Sequence, residues 1–138
     1  MIDRFTGKYD FLSNYYECSV TFEGITYNNT EAAFQSMKTL DKNERKRFAE
    51  LDPDPAKKAG RKISLRNDWE DVKIDLMYEI CKAKFTQNIE LAEKLLATGD
   101  EELVEGNDWN DKIWGKVNGE GDNNLGKILM KIREELKK

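Results

Sequence analysis

The stretch from residue 67 to residue 85 carries the strongest helical pattern in the chain. Its apolar side chains recur every three or four residues, which places them on one side of an α-helix. They are Trp69, Val72, Leu76, Met77, Ile80 and Cys81. Asn67 and Glu70 have the spacing of a capping box, in which two side chains satisfy backbone amides at a helix start. Because a helix with one apolar side must bury it, the pattern predicts a fold of packed helices.

Shorter stretches on either side also have helical spacing. They are residues 56–61, 89–97 and 125–136. Pro55 is the predicted first residue of the earliest of these helices, because proline is well tolerated at a helix start. Residues 18–27 instead alternate between apolar and polar around Glu23-Gly24, which predicts a β-hairpin. We therefore expect a mainly α (α+β) fold: one compact multihelical domain over residues 1–138, with a small N-terminal β-hairpin.

The composition favours a folded protein and gives no sign of a nucleic-acid or membrane surface. Three Trp, five Tyr and six Phe argue against disorder, although 36% of the residues are charged. A net charge of -4 provides no basic footprint for tight binding to a duplex. No apolar run approaches the length of a membrane span, and the N-terminus lacks the layout of a signal peptide. Cys18 and Cys81 lie far apart, as expected for reduced cysteines of a cytoplasmic protein.

The chain contains no histidine. This excludes serine–histidine and cysteine–histidine catalysis, metal sites with histidine ligands, and acid–base chemistry by imidazole. If the protein is an enzyme, its protons must be moved by carboxylates, lysine, tyrosine or bound water. Nothing in the sequence indicates a cofactor or a metal ion.

Residues 27–38 combine a helix start with a row of polar side chains. The candidates for the N-cap are Asn28, Asn29 and Thr30. Seven helical residues return nearly to the starting angle, so Glu31 and Lys38 are expected on one face with Gln35 between them. This carboxylate, amide and amine form either a catalytic row or a solvated stripe, because ordinary helices carry such pairs on their surface.

Three other places could contact a ligand. Asn14 lies in a polar pair between aromatic residues, which indicates either a turn that enters a cleft or a loop capped by its own side chains. A basic cluster could bind a phosphate or form a solvated face. It comprises Lys57, Lys58, Arg61, Lys62 and Arg66. The polar loop 105–114 contains two Trp, which could stack on a flat base or belong to the core.

Taken together in their order, the motifs of this chain resemble those of the YbiA-like, or NADAR, family over nearly the whole sequence. The matching pieces are Phe11-Leu12-Ser13-Asn14-Tyr15-Tyr16, Thr30-Glu31 with Gln35 and Lys38, residues 56–61, Arg66-x-Asp68-Trp69, Met77 with Lys84-Phe85, residues 95–100, Leu103-Val104-Glu105, Asp111-x-x-Trp114-Gly115, Asn124-Leu125-Gly126-Lys127, Leu129-Met130 and Arg133-Glu134. The chain departs from the family pattern at Ala32-Ala33-Phe34, where relatives often carry histidine and an aromatic residue.

The resemblance implies a compact, mostly helical fold and hydrolysis of N-glycosidic bonds. The implied substrates are ribosylaminopyrimidine phosphates near the start of riboflavin synthesis or, in another branch, ADP-ribose carried on guanine. Nucleic acid then enters only as a modified substrate, and no membrane partner is implied.

The resemblance also implies roles for particular residues. It gives catalytic importance to Glu31 and Trp69 and to an acid matched to Asp111, although Asp108 lies in the same loop. Lys38 matches a lysine that forms a Schiff base in the guanine-directed branch. The substrate-binding residues that we expect are Asn14, Gln35, Arg61, Arg66, Trp69, Glu105 and Trp114.

The chemistry of these residue types fits such a reaction. Cleavage of a ribose C1′–N bond builds positive character on C1′, and a carboxylate can stabilise it or deliver the proton that the leaving nitrogen needs. A lysine can instead attack C1′ of an opened ribose and hold it as an imine, which requires a neutral amine and therefore a lowered pKa. The alternative is a non-catalytic module that binds ADP-ribose or a nucleotide, and an acid and an amine together on one helix count against it.

Overall fold

A two-stranded antiparallel hairpin leads the chain into its first helix. The strands are β1 (Val20–Phe22) and β2 (Ile25–Tyr27). Val20 lies opposite Tyr27, and the turn residues Glu23 and Gly24 have positive φ angles of 47° and 83°. A tight turn between twisted strands requires this conformation, which glycine adopts at no steric cost. The predicted hairpin is confirmed.

Six α-helices follow in this computed structural model, which describes all residues 1–138. They are α1 (Thr30–Ser36), α2 (Lys42–Lys46), α3 (Pro53–Arg61), α4 (Trp69–Gln87), α5 (Ile89–Ala97) and α6 (Asn124–Leu136). A 3₁₀ turn covers Gly7–Leu12. The mainly helical fold with a small antiparallel sheet is as expected. None of the helices combines the length and apolar character needed to cross a lipid bilayer.

The chain forms two compact units. The central unit, Asn14–Asn88, contains the hairpin and α1 to α4. The terminal unit combines Met1–Ser13 with Ile89–Lys138 and contains the 3₁₀ turn, α5 and α6. The single domain expected from the sequence stays a prediction.

Several predicted helix boundaries are wrong by one or two residues. Helix α3 begins at Pro53 rather than Pro55, because Asp52 is its N-cap and the first proline already occupies the first turn. Helix α4 begins at Trp69, and no side-chain bond caps it, so the capping box at Asn67 does not form. Helix α6 begins one residue earlier than expected, at Asn124.

Helix α1 forms the centre of the central unit. All seven of its residues are buried, since it packs against α3, α4 and both strands of the hairpin. Asn29 is the N-cap: its side-chain oxygen accepts a hydrogen bond from the backbone amide of Ala32 at 2.7 Å. Its amide nitrogen donates to the carbonyl of Leu51 at 2.9 Å. Of the three candidates, Asn29 is the N-cap, because its side chain satisfies both a backbone amide of the helix and a backbone carbonyl outside it.

The terminal unit packs α5 against α6. Its core includes Leu95, Leu103, Leu125, Leu129 and Ile132, all at most 1% exposed. The N-terminus pairs with the segment around Leu103: the amide of Ile2 donates to the carbonyl of Glu102, and the amide of Val104 donates to the carbonyl of Ile2, both at 2.8 Å. This ladder positions the start of the loop that contains Glu105 and Asp111.

Candidate active site

Glu31 is a buried carboxylate at the start of a buried helix. The Glu31 and Gln35 residues are each only 7% exposed, and Nε2 of Gln35 donates to Oε2 of Glu31 at 2.7 Å. The alternative of a solvated stripe is therefore excluded for this pair. A buried carboxylate with a fixed amide donor can accept or deliver a proton in a defined direction.

Asn14 anchors the start of that helix. Its backbone carbonyl accepts hydrogen bonds from the amide of Glu31 and the hydroxyl of Thr30, both at 3.1 Å. Its side-chain oxygen accepts from the same hydroxyl at 3.0 Å, and its amide nitrogen donates to Sδ of Met77 at 3.4 Å. Asn14 is 8% exposed, so its contacts within the protein fix the position of Glu31.

Lys38 follows the end of α1, which differs from the expected uniform helix. The helix ends at Ser36, and the amide of Lys38 donates to the carbonyl of Gln35 at 3.2 Å, a tighter turn of 3₁₀ type. Lys38 is half-buried. Burial lowers the pKa of its amine, the charge of Glu31 opposes this shift, and the Arg61 guanidinium adds to it. Burial and Arg61 therefore make the neutral amine easier to reach than in water, while the charge of Glu31 acts in the opposite direction.

Arg61 and Arg66 approach Lys38 in different ways. Arg61 is the last residue of α3 and is exposed. Arg66 is partly buried, and its Nε and Nη2 both donate to the Asp68 carboxylate, at 2.6 and 3.1 Å. Its Nη1 donates to the carbonyl of Met37 at 3.3 Å. The Arg66 guanidinium is therefore engaged on both sides, whereas Arg61 extends into solvent.

Trp69 forms part of the wall behind α1. It is 6% exposed, and its ring lies 5.0 Å from that of Phe34 at an interplanar angle of 49°. This tilted aromatic pair fixes the indole against the helix that contains Glu31.

Tyr15 is a candidate that the sequence argument did not select. Its residue is 41% exposed, its hydroxyl donates to Oδ1 of Asp54 at 2.8 Å, and Nζ of Lys57 lies 5.2 Å from its ring centre. Burial of the hydroxyl raises the pKa of Tyr15, and its bond to Asp54 and the charge of Glu31 raise it further. The tyrosine therefore lies within electrostatic reach of Glu31. The sequence indicated this candidate only through its position, because Tyr15 directly follows Asn14 in the motif from Phe11 to Tyr16.

Glu105, Asp111 and Trp114 belong to the terminal unit, where one loop carries all three. Oδ1 of Asp111 accepts hydrogen bonds from the amides of Ile113 and Trp114, at 3.1 and 2.9 Å. The side chain of Asn107 bonds both the amide and the carbonyl of Asp111. Asp111 is partly exposed and organises this turn, while Asp108 is exposed.

Comparison with known proteins agrees with this fold and these motifs. The sequence model of the NADAR domain matches residues 3–137. The chain belongs to the NADAR domain family. The NMR structure of the Escherichia coli protein YbiA superposes on 99% of this chain and 87% of its own, with a TM-score of 0.85 and 36% identity.

Two similar curated proteins indicate the general activity. The N-glycosidase YbiA of Escherichia coli strain K12 is 39% identical over 132 residues, covering 93% of this chain and 82% of YbiA. A riboflavin biosynthesis protein of Vibrio vulnificus is 39% identical over 133 residues, covering 94% of this chain. The chain spans only 36% of the length of that Vibrio protein. The protein is an enzyme of the general N-glycosidase type.

Proposed function

We propose that this enzyme hydrolyses the C1′–N bond of a ribosylated base or nucleotide, with Glu31 and Lys38 performing the chemistry. The observation that carries the proposal is a buried carboxylate, held by Gln35, close to an amine whose pKa burial and Arg61 lower. Binding alone does not require this combination, so it argues against the non-catalytic nucleotide-binding module.

Glu31 moves the proton in this proposal. The leaving nitrogen must gain a proton as its bond to C1′ breaks, and a carboxyl group in a buried site can deliver it. The resulting carboxylate then stabilises positive character on C1′. The Gln35 amide keeps one carboxylate oxygen in a fixed position during both steps.

Lys38 acts as the nucleophile after the ribose ring opens, a step in which the C1′–O4′ bond breaks, O4′ gains a proton and the lone pair of the base nitrogen forms a C1′=N bond. Its neutral amine adds to C1′, the C1′–N bond to the base breaks, and the base leaves with a proton supplied by Glu31. The product on the enzyme is a protonated imine between Lys38 and C1′. Water adds to that carbon, the C1′–Nζ bond breaks, and the sugar leaves with the amine regenerated.

The first substrate class is a ribosylaminopyrimidine phosphate. The name of the Vibrio relative supports it, since that protein is a riboflavin biosynthesis protein. Arg61 is exposed beside Lys38 and is our candidate for the phosphate contact, whereas the Arg66 donors bond Asp68 and Met37. Trp69, Asn14 and Gln35 would shape the pocket.

The second class is ADP-ribose on guanine. The resemblance to the guanine-directed branch supports it, because Lys38 matches the Schiff-base lysine of that branch, and the lowered pKa of Lys38 suits an imine route. For both classes we assign Asp111 to acid–base assistance and Glu105 and Trp114 to substrate contacts. The enzyme is proposed to act in the cytoplasm without a cofactor.

The test measures release of free base from both substrate classes by chromatography. Wild type, Glu31→Gln and Lys38→Ala are compared, with unfolding curves as the control for folding. We expect hydrolysis of one class, with kcat reduced by at least about 100-fold in each variant, as for removal of an acid–base or nucleophilic group. Equal ligand affinity in wild type and Lys38→Ala, with no turnover by either, would support the binding module instead.

A further inference from the structure

Gly60 lies where α3 packs against α1, directly beside the amide of Gln35. A Cβ atom built on Gly60 would lie 2.0 Å from Oε1 of Gln35, 2.8 Å from its Cδ and 3.3 Å from its Cβ. Gly60 is buried within a regular helix and does not have positive φ. The chain therefore needs glycine here for space and not for backbone conformation.

The side-chain amide of Gln35, which occupies that space, makes a hydrogen bond through its nitrogen and none through its oxygen. Nε2 donates to the Glu31 carboxylate at 2.7 Å, while Oε1 is buried and has no hydrogen-bond partner. An unsatisfied buried acceptor destabilises a protein, and such a group calls for an explanation. Here the orphaned oxygen lies against Gly60 because the nitrogen is committed to Glu31.

We propose that Gly60 is a positioning residue for Glu31, acting through Gln35. Its missing side chain leaves the room in which the Gln35 amide can donate to the carboxylate. The idea rests on the proposed role of Glu31 in catalysis, and it adds a residue of α3 to the machinery without placing that residue in contact with substrate.

Gly60→Ala tests this cleanly because the fold should accept the methyl group. Alanine favours a helix more than glycine does, and the closest atoms belong to the flexible end of a glutamine. The Gln35 amide is expected to move, and its bond to Glu31 is lost. A hydrogen bond to a charged group is among the stronger ones, so we expect kcat to fall about tenfold or more with little change in KM.

A double-mutant cycle shows whether Gly60 acts through Gln35. Gly60→Ala, Gln35→Ala and the double variant are compared for kcat, KM and the pH dependence of kcat. We expect the double variant to match Gln35→Ala, because the methyl group has nothing left to displace. We also expect the alkaline limb of the pH profile, where Glu31 loses the proton that it delivers, to move to higher pH in both single variants, since the carboxylate form loses a donor. Wild-type kcat in Gly60→Ala, or losses that add in the double variant, would overturn the proposal.

A substrate-independent measurement separates this idea from the proposed function. The side-chain ¹H–¹⁵N signals of Gln35 report its bond to the Glu31 carboxylate, so they should shift in Glu31→Gln and in Gly60→Ala. Unchanged Gln35 signals in Gly60→Ala would overturn the positioning role even if wild type hydrolysed no substrate. Shifted signals together with full activity of Glu31→Gln would contradict the proposed function and leave the contact itself intact.

Discussion

The backbone amide of Arg66 donates to the carbonyl oxygen of Lys38 at 2.9 Å. The guanidinium of the same arginine donates to the carbonyl of Met37. Arg66 thus bonds the carbonyls of both Met37 and Lys38, the two residues that directly follow the last residue of α1. This attachment fixes the backbone of Lys38 while leaving its amine half-buried.

We predict that Arg66→Ala weakens the fold slightly and changes substrate binding little. The substitution removes the bonds to Asp68 and Met37 but keeps the backbone bond to Lys38. Because Asp68 is exposed, solvent screens its ion pair with Arg66, and we expect only a small loss in the free energy of unfolding. Urea denaturation measures the loss, with Asp68→Ala as the matched partner variant. A tenfold or greater rise in KM for a phosphorylated substrate would instead make Arg66 a phosphate contact.

Arg61→Ala should weaken substrate binding and lower the fraction of Lys38 that carries a neutral amine. Arg61 lowers the pKa of Lys38, so its removal raises that pKa and leaves less neutral amine at neutral pH. The pH–rate profile should therefore move to higher pH, and KM for a phosphorylated substrate should rise. Arg61→Lys keeps the positive charge and is the control, for which we expect a profile close to wild type. Identical profiles for wild type and Arg61→Ala would contradict this electrostatic role.

Asp111 offers a way to separate a structural role from a catalytic one. Asn keeps the oxygen that accepts the amides of Ile113 and Trp114, whereas Ala removes it. Asp111→Asn should preserve stability and lose activity if the carboxylate takes part in proton transfer. Asp111→Ala should also lower the free energy of unfolding, by about 1 kcal/mol. Full activity in Asp111→Asn would assign Asp111 to loop structure alone.

The sequence predicted correctly those elements that depend on neighbouring residues alone, such as a turn or a helical spacing of apolar side chains. The hairpin forms around Glu23-Gly24, and α5 has the predicted bounds 89–97. Helix α3 begins two residues early because two prolines compete for its first turn, and spacing alone does not choose between them.

The burial of the site could not be predicted from α1 itself. A segment with Glu31, Gln35 and Lys38 resembles an exposed helix, and only the packing of α3, α4 and the hairpin around it buries the first two side chains. The lowered pKa of Lys38 likewise depends on burial and on Arg61, a residue of another helix. The contact between Gly60 and Gln35 is invisible in sequence for the same reason.

The most direct test of the account is intact-mass spectrometry after borohydride reduction, with each substrate class and with wild type and Lys38→Ala. Borohydride converts an imine into a stable amine, so a covalent intermediate becomes a permanent mass increase. We expect an adduct with the mass of the substrate's sugar portion on wild type, mapped to Lys38 by peptide analysis, and none on Lys38→Ala. Release of free base by Lys38→Ala at the wild-type rate, with no adduct on wild type, would contradict the role of Lys38 as nucleophile.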